Sequence, residues 1–501
     1  MIWEDNALLM VDTSLVASES GTSMVREEAY KHTDNPILHE ASAGLYGGRR
    51  ATIIQVSCVA REGGRFRMWY THADDWYGRW VDCAYAESDD GLHFKPVKVP
   101  GGRGNQVVVT DRADVGLGGM MHDPADREWP YKRVVTRQRP VSEVNPAVLA
   151  KWPHLRKGGK CELVWGVARS RDGFGWELPR HDHNLLDADI EGPAIYRALD
   201  GGYVISNQMR HPISHLGGRK VKGWLTYDFE RAHRVPDFVF TVPDHMVRTS
   251  RSFTGRDWPD IPWAQSHVGL IPARHGPTMM ALHGYLYMCY GPNGVETYAQ
   301  VADVGLAISD TGLWFQDVWP FRPFLRRGDM GRWDCGLVVQ GPMLSHGGRT
   351  LIYYGSSQVG NAAGNPFRSG LAYFRRDGYG YRVLRVYRDY EAPKERLGVV
   401  TLKPQKLPAR PAFSVNASHV TKTRTVRLEL ADERGRALRG YSFADCVPIA
   451  REGVRRKVGW RGGRVGAELG GRAVTIRAEL HSPDCRYADQ HSPRLYAVYT
   501  A

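Results

Sequence analysis

Apolar and aromatic positions come in short runs along this chain, each ended by a cluster of Ser, Asp, Thr and Gly; that pattern predicts strands joined by tight turns. Ser170-Arg171-Asp172-Gly173-Phe174-Gly175-Trp176, which follows the apolar run Leu163 to Ala168, is the clearest instance. Close variants stand at Ser88-Asp89-Asp90-Gly91-Leu92-His93-Phe94, Ser309-Asp310-Thr311-Gly312-Leu313-Trp314-Phe315 and Arg375-Arg376-Asp377-Gly378-Tyr379-Gly380-Tyr381. The polar turn residues can hydrogen-bond their own backbone, Gly supplies a positive φ, and the aromatic packs back on the sheet. The acids at 90, 172 and 377 are therefore expected on an outer rim.

The turn glycines count the units. Gly91 to Gly173 spans 82 residues, Gly173 to Gly312 spans 139 and Gly312 to Gly378 spans 66, so the long interval should hold a fifth, degenerate copy. Lys222 to Arg231 fits it, with the turn Gly lost. Aromatic-rich strands ahead of each hairpin, at Phe66 to Tyr70, Tyr131 to Val135, Tyr203 to Asn207, Leu286 to Gly291 and Leu351 to Gly355, repeat the count. Five small all-β units, each unable to bury a face alone, predict a five-bladed β-propeller with the first strand of every unit around one channel. The units are expected to open near Asp34 to Leu38, Met121 to Pro124, Asp189 to Pro193, Ser266 to Met280 and Trp333 to Gly336, with Ala7 to Val11 closing the ring.

After Tyr390 to Pro393 the pattern becomes clean period-2 alternation, as in Val426-Arg427-Leu428-Glu429-Leu430 and Val474 to Leu480, which predicts half-buried strands with polar outer faces. The expected organisation is an all-β chain with a propeller over 1–390 and a β-sandwich over 391–501.

Charge changes this picture in one respect. The chain carries a net charge of +13, and residues 395–501 hold 20 Lys plus Arg against 10 Asp plus Glu, so the basicity belongs to the C-terminal module. That module is expected to brace the propeller with its Arg residues facing water. Dispersed charge and the lack of a reader motif argue against nucleic acid as a partner. No run approaches the roughly 18 apolar residues of a membrane span. Seven Cys without a CxxC pair, set in apolar runs, favour a reducing compartment over a disulfide framework. The start Met1 to Asp5 lacks the pattern of a signal peptide, so the expected location is cytoplasmic, or secreted if a leader was removed.

Three unit-opening stretches present an acid beside Pro or Gly: Asp34 in Asp-Asn-Pro, Asp123 in His-Asp-Pro and Glu191 in Ile-Glu-Gly-Pro. Three carboxylates around one channel suit glycosyl transfer, one as nucleophile or base, one as proton donor and one orienting the sugar. This order, with His122-Asp123-Pro124 and Ile190-Glu191-Gly192-Pro193, resembles the invertase, levansucrase and arabinanase clan of five-bladed glycoside hydrolases (families 32, 68 and 43). The resemblance implies Asp34 as nucleophile or base, Asp123 as transition-state stabiliser and Glu191 as general acid. The match is incomplete: the clan's Asn-Asp-Pro stands here as Asp34-Asn35-Pro36, one residue out of place, with Asp12, Asp82 and Asp334 as substitutes. Asn-Pro-Ile-Leu also resembles the first blade of the family-130 mannoside phosphorylases.

Around these acids the expected substrate contacts are Asn35, His122, Arg210, His211, His275, Trp333 and Asp334, with Trp333 suited to stacking on a sugar. His181, His183 and Asp187 read as a polar loop, so no metal is assigned, although a structural cation in the channel is compatible with the resemblance at His275. The expected function is hydrolysis or transfer at a glycosidic bond of an oligosaccharide or polysaccharide, a fructoside or arabinofuranoside first. The alternatives are a phosphorylase, with Arg210, His211, His215 and Arg251 holding phosphate, and a glycan-binding propeller without catalysis.

Overall fold

The computed structural model describes residues 3–4, 6–46, 49–50, 52–73, 82–102, 104–107, 119–143, 146, 150, 160–178, 185–186, 191–210, 219–235, 264–289, 299–320, 322–358, 366–385, 396–462, 467–483 and 492–501; the side chains of Glu191 and Arg210 fall outside that description. The described regular structure is β-strand, with helix reduced to turns such as Thr13–Leu15.

Antiparallel meanders follow one another along the chain. The first comprises Ile53–Glu62, Arg65–Ala73, Asp82–Ser88 and Lys95–Pro96; the second Met120–His122, Tyr131–Pro140, Lys160–Ser170 and Trp176–Glu177. The third is Glu191–Arg197, Tyr203–Arg210, Arg219–Thr226 and His233–Arg234, and the fourth Ala264–His275, Thr278–Cys289, Ala299–Ser309 and Gln316–Asp317. In the fifth, Leu337–Val339 and Met343–His346 both pair with Arg349–Ser357, which pairs with Phe367–Arg375. Its outer strand is Tyr30–Lys31, from the start of the chain. The inner strands lie against one another in cyclic order, first with second and onward until the fifth meets the first.

The recurring turn explains why these meanders adjoin. Ser88, Ser170 and Ser309 each accept the backbone N–H of the turn glycine at 2.9, 2.9 and 2.8 Å. Asp90, Asp172 and Thr311 accept the two N–H groups beyond it. The glycines have φ of 77°, 83° and 76°, a region that costs other residues about 1–2 kcal/mol. Each glycine carbonyl then takes a hydrogen bond from the neighbouring meander: Gly173 from Trp69 Nε1 at 3.1 Å, Gly312 from Tyr196 Oη at 3.0 Å, and Gly91 from Tyr353 Oη at 3.0 Å. The degenerate copy keeps the same form. Thr226 and Asp228 play the Ser and Asp parts, and Phe229 takes the glycine's place at φ 62°.

The fourth hairpin departs from the pattern. Asp377, not Gly378, has the positive φ (55°), and its carboxylate is buried instead of lying on a rim. The strand that follows, Gly380–Leu384, leaves the meander and pairs with Thr22–Arg26 and Arg494–Tyr499.

Those strands belong to a second body of two sheets. One contains Ala7–Leu9, Thr22–Arg26, Gly380–Leu384, Ser414–Ser418, Gly453–Lys457 and Arg494–Tyr499; the other Val16–Ser20, Leu397–Leu402, Gln405–Lys406, Thr425–Ala431 and Ala473–His481. They share an apolar core that includes Leu8, Met10, Val400, Leu428, Ile476 and Val498. Strand pairing therefore crosses the expected boundary at 390, since residues 7–26 and 380–384 lie in these sheets. Ala7 to Val11 does not close the ring. Leu8 and Met10 face the core between the two sheets, whereas Ala7, Leu9 and Val11 face a second core with Leu282, Val304, Tyr354 and Phe374 of the fourth and fifth meanders. A strand buried on both faces reads as an unbroken apolar run, and this one lies between two layers.

Gly173 tests the turn. A Cβ there would stand 2.4 Å from Trp69 Cζ2 at a φ of 83°. Gly173→Ala is expected to cost roughly 2–4 kcal/mol in chemical denaturation, from strain and from displacing Trp69. An unchanged midpoint would mean that this junction contributes nothing to stability.

Candidate functional site

Glu191 opens the inner strand of the third meander, and its backbone pairs with Gln208. The register shifts between Glu191 and Ala194, where Gly192 takes a φ of 62°. Just inside this end, glycines bring the inner strands into backbone contact. A Cβ on Gly119 would lie 2.4 Å from Pro193 O, and one on Gly269 would lie 2.6 Å from Ala194 N. The side chains between them are polar yet buried. Ser206 accepts the Leu270 N–H at 3.0 Å, Gln340 Nε2 donates to Gly269 O at 3.0 Å, and Asn207 and Gln208 are shut from solvent. Sequence reading passed over Ser206, Asn207, Gln208 and Gln340. Their signal was an uncharged polar run closing an apolar strand, as in Ile205-Ser206-Asn207-Gln208.

Asp123 lies at the other end of the same strands. It follows Met120–His122, is fully buried, and accepts Tyr203 Oη at 2.8 Å, with Arg197 Nη1 at 3.5 Å. Arg197 ends the strand that Glu191 begins and pairs with Tyr203. Six residues at about 3.3 Å each separate Glu191 from Arg197 by about 20 Å. Paired carboxyls in glycoside cleavage stand about 5–9.5 Å apart, so Asp123 is not Glu191's partner. The reason is geometric: Asp-Pro opens the turn after the strand, where sequence reading placed it at the strand's start. Burial raises Asp126 beside it, but the hydrogen bond and charge of Lys132, at 2.8 Å, together with the backbone N–H groups of Trp129 and Glu128 more than offset it and hold the carboxyl below its usual range. Burial lowers Lys132, which also donates to Trp129 O at 2.5 Å.

His122 is also at that end. Its Nε2 lies 3.4 Å from Glu62 Oε1, and Glu62 also accepts Tyr131 Oη at 2.7 Å and Arg67 Nη1 at 2.6 Å. The hydrogen bonds from His122 and Tyr131 bring Glu62 down to about 2 against the opposing effect of burial.

Asp34 and Asn35 do not open the first meander. They lie between Tyr30–Lys31 and Leu38, both of which pair along Phe367–Arg375, so this stretch is the outer edge of the fifth meander. Asp34 is exposed in a turn, 3.9 Å from His32 Nδ1. Asn35 is a clamp: its Oδ1 accepts the Leu371 N–H at 2.7 Å, and its Nδ2 donates to Leu371 O at 2.9 Å and Tyr354 Oη at 3.2 Å. Trp333 and Asp334 join this group. Trp333 stacks on Tyr354 with centroids 5.8 Å apart, and Asp334 binds Lys31 Nζ at 2.5 Å and accepts Tyr354 Oη at 3.1 Å. The group ties the chain's start to the fifth meander.

His275 is fully buried, with Nδ1 3.3 Å from Asp377 Oδ1 and Nε2 3.0 Å from Tyr379 Oη, while Tyr499 Oη donates to Asp377 at 2.6 Å. Burial alone would raise Asp377; His275 and Tyr499 more than offset it and leave the carboxyl below its usual range. This cluster joins the fourth meander to the two-sheet body and is closed to substrate. Asp12 likewise caps Thr13–Leu15 and accepts Thr278 Oγ1. Arg210 is placed only by its backbone, at the end of the strand paired to Glu191's. His211 and the His181 to His183 stretch lie outside the described residues.

No family profile and no curated protein matches the chain. Several solved structures are similar to it. One is described as showing that the family-130 mannoside phosphorylases contain glycoside hydrolases that target β-1,2 mannosidic linkages in Candida mannan, at 14% identity over 70% of this chain and 94% of that one, TM-score 0.44. Another is a thermostable family-43 glycoside hydrolase, at 12% identity over 72% and 94%, TM-score 0.42. A third is an N-acetylgalactosamine deacetylase from F. plautii in complex with blood group B trisaccharide, at 13% identity over 70% and 95%, TM-score 0.41. Likeness at this level carries no reaction over to this chain.

Two predictions follow from these placements. Asp123→Asn is expected to cost about 3 kcal/mol in chemical denaturation, because it leaves Arg197 and Tyr203 against a buried neutral amide; loss of function in a fully folded, equally stable variant would return Asp123 to the site. Glu62 stabilises the fold above its ordinary 4.5, and that contribution is lost as pH falls toward about 2. Glu62→Gln should therefore lose less melting temperature than the parent between those limits, and identical acid profiles would contradict the Glu62 assignment.

Proposed function

We propose that the five meanders are the blades of a β-propeller, that the two-sheet body is a sandwich bracing it, and that the protein acts on a glycosidic bond at the mouth where Glu191 begins its strand. The observation that carries this reading is the position of Glu191: of the three expected carboxylates, its backbone alone stands where inner strands converge over buried Ser206, Gln208 and Gln340. In this reading Glu191 donates the proton to the leaving oxygen. A second carboxylate about 5–9.5 Å from it supplies nucleophile or base. The substrate class is an oligosaccharide or polysaccharide, with furanosides the first to be tried.

The test is a panel of aryl-glycosides and oligosaccharides, furanosides included, assayed with and without inorganic phosphate. Turnover should fall at least ~100-fold in Glu191→Gln, with the fold intact by circular dichroism. Product appearing only with phosphate, as a sugar phosphate, would turn the assignment to a phosphorylase. Binding of a glycan that survives Glu191→Gln, without turnover of any substrate, would replace it with a non-catalytic glycan reader.

A further inference from the structure

At one end of the two-sheet body a cleft of about 370 Å³ opens between the turn 432–436 and the start of the strand Ala473–His481. That volume lies within the range of about 300–1,000 Å³ usual for small-molecule sites. Strand pairing leaves the gap. Thr425–Ala431 runs beside Ala473–His481 only as far as the rung Ala431–Thr475, then folds back on itself, with Asp432 N–H donating to Arg436 O at 2.9 Å. On the opposite side Arg472 O accepts the Leu407 N–H at 2.9 Å, so alternation turns the N–H and C=O of Ala473 toward the vacated side. The turn itself is held by Asp432, whose Oδ1 accepts the N–H groups of Arg434 and Arg436, both at 2.9 Å, while Oδ2 holds the Arg436 guanidinium at 2.9 Å. The other charged side chains lining the cleft are Arg434, Arg472 and Glu433. The apolar part of the lining is Val474, buried in the core between the two sheets, and Leu438, which packs against that core.

We infer that this cleft binds one uronate residue of an acidic glycan. Arg434 and Arg472 receive the carboxylate through charge-assisted N–H bonds, which the planar guanidinium makes two at a time. Glu433 accepts sugar hydroxyls, Ala473 supplies one further donor and acceptor from its backbone, and Leu438 meets the C–H face of the ring. Inorganic sulfate would satisfy the arginines but brings no hydroxyl for Glu433 and no apolar face. A neutral sugar would leave the excess positive charge unanswered. The charge of the surrounding body agrees, because residues 395–501 carry 20 Lys plus Arg against 10 Asp plus Glu, a field that concentrates an anionic polymer. This site stands apart from the glycosidic reading, since it needs neither Glu191 nor catalysis.

The experiment is isothermal titration of the full chain at constant ionic strength with galacturonate, galactose or sodium sulfate. Galacturonate has no glycosidic bond to cleave, so the outcome is independent of any reaction at Glu191. It should bind with a Kd below ~10 mM, and galactose and sulfate at least ~10-fold more weakly. Arg434→Met and Arg472→Met should each weaken galacturonate at least ~10-fold, the scale of a lost charge-assisted hydrogen bond. Both arginines are exposed, so the two variants should melt with the parent. Three results would each overturn the inference: no galacturonate binding up to ~10 mM, equal binding of galactose or sulfate, or an affinity undiminished in either arginine variant.

Discussion

Each meander is fastened to the next by a hydrogen bond made in a buried place, and the arrangement of the rest follows from those fastenings. Trp69 of the first reaches Gly173 of the second, Tyr196 of the third reaches Gly312 of the fourth, and Tyr353 of the fifth reaches Gly91 of the first. The two remaining junctions lack a turn glycine in the required conformation. Between second and third, Asp123 accepts Tyr203; between fourth and fifth, His275 Nε2 hydrogen-bonds Tyr379 Oη beside Asp377. The protein thus meets one requirement twice with a backbone carbonyl replaced by side chains. A buried carbonyl left unpaired costs about 1–3 kcal/mol, which is why a lost glycine turn needs a substitute.

These fastenings divide the ring into two ends of different character. At the turn end, aromatic hydroxyls, an indole and two carboxylates are consumed by junctions. At the Glu191 end, glycines let inner strands touch, and Ser206 and Gln340 bind across meanders. The two-sheet body adds rigidity from one side, because alternate residues of Ala7 to Val11 and of Ala497 to Tyr499 enter two different cores.

Residue chemistry alone misdirects at such junctions. Asp123 drew attention as the acid of His-Asp-Pro and His275 through the channel cation of the resemblance, and both instead serve junctions between meanders. Asp34-Asn35-Pro36 misled for a different cause: the amide of Asn35 clamps an outer strand to Leu371, and an outer strand and an inner strand look alike in one dimension. Trp333 and Asp334 are drawn into the same edge by Tyr354 and Lys31.

What the sequence determined by itself was whatever repeats locally: all-β character, the turn built from Ser, Asp and Gly, its degenerate copy at Thr226 to Phe229, and the polar-outside alternation after residue 390. Such features depend on side chains within a few positions of one another, so a pattern in one dimension records them. Only the tertiary structure decided which end of a strand each acid occupies, which sheet receives the chain's first strands, and that Asp123 and Glu191 stand at opposite ends of one interface. Those facts depend on register between segments tens to hundreds of residues apart, where a strand of given composition fits several edges equally well until packing selects one.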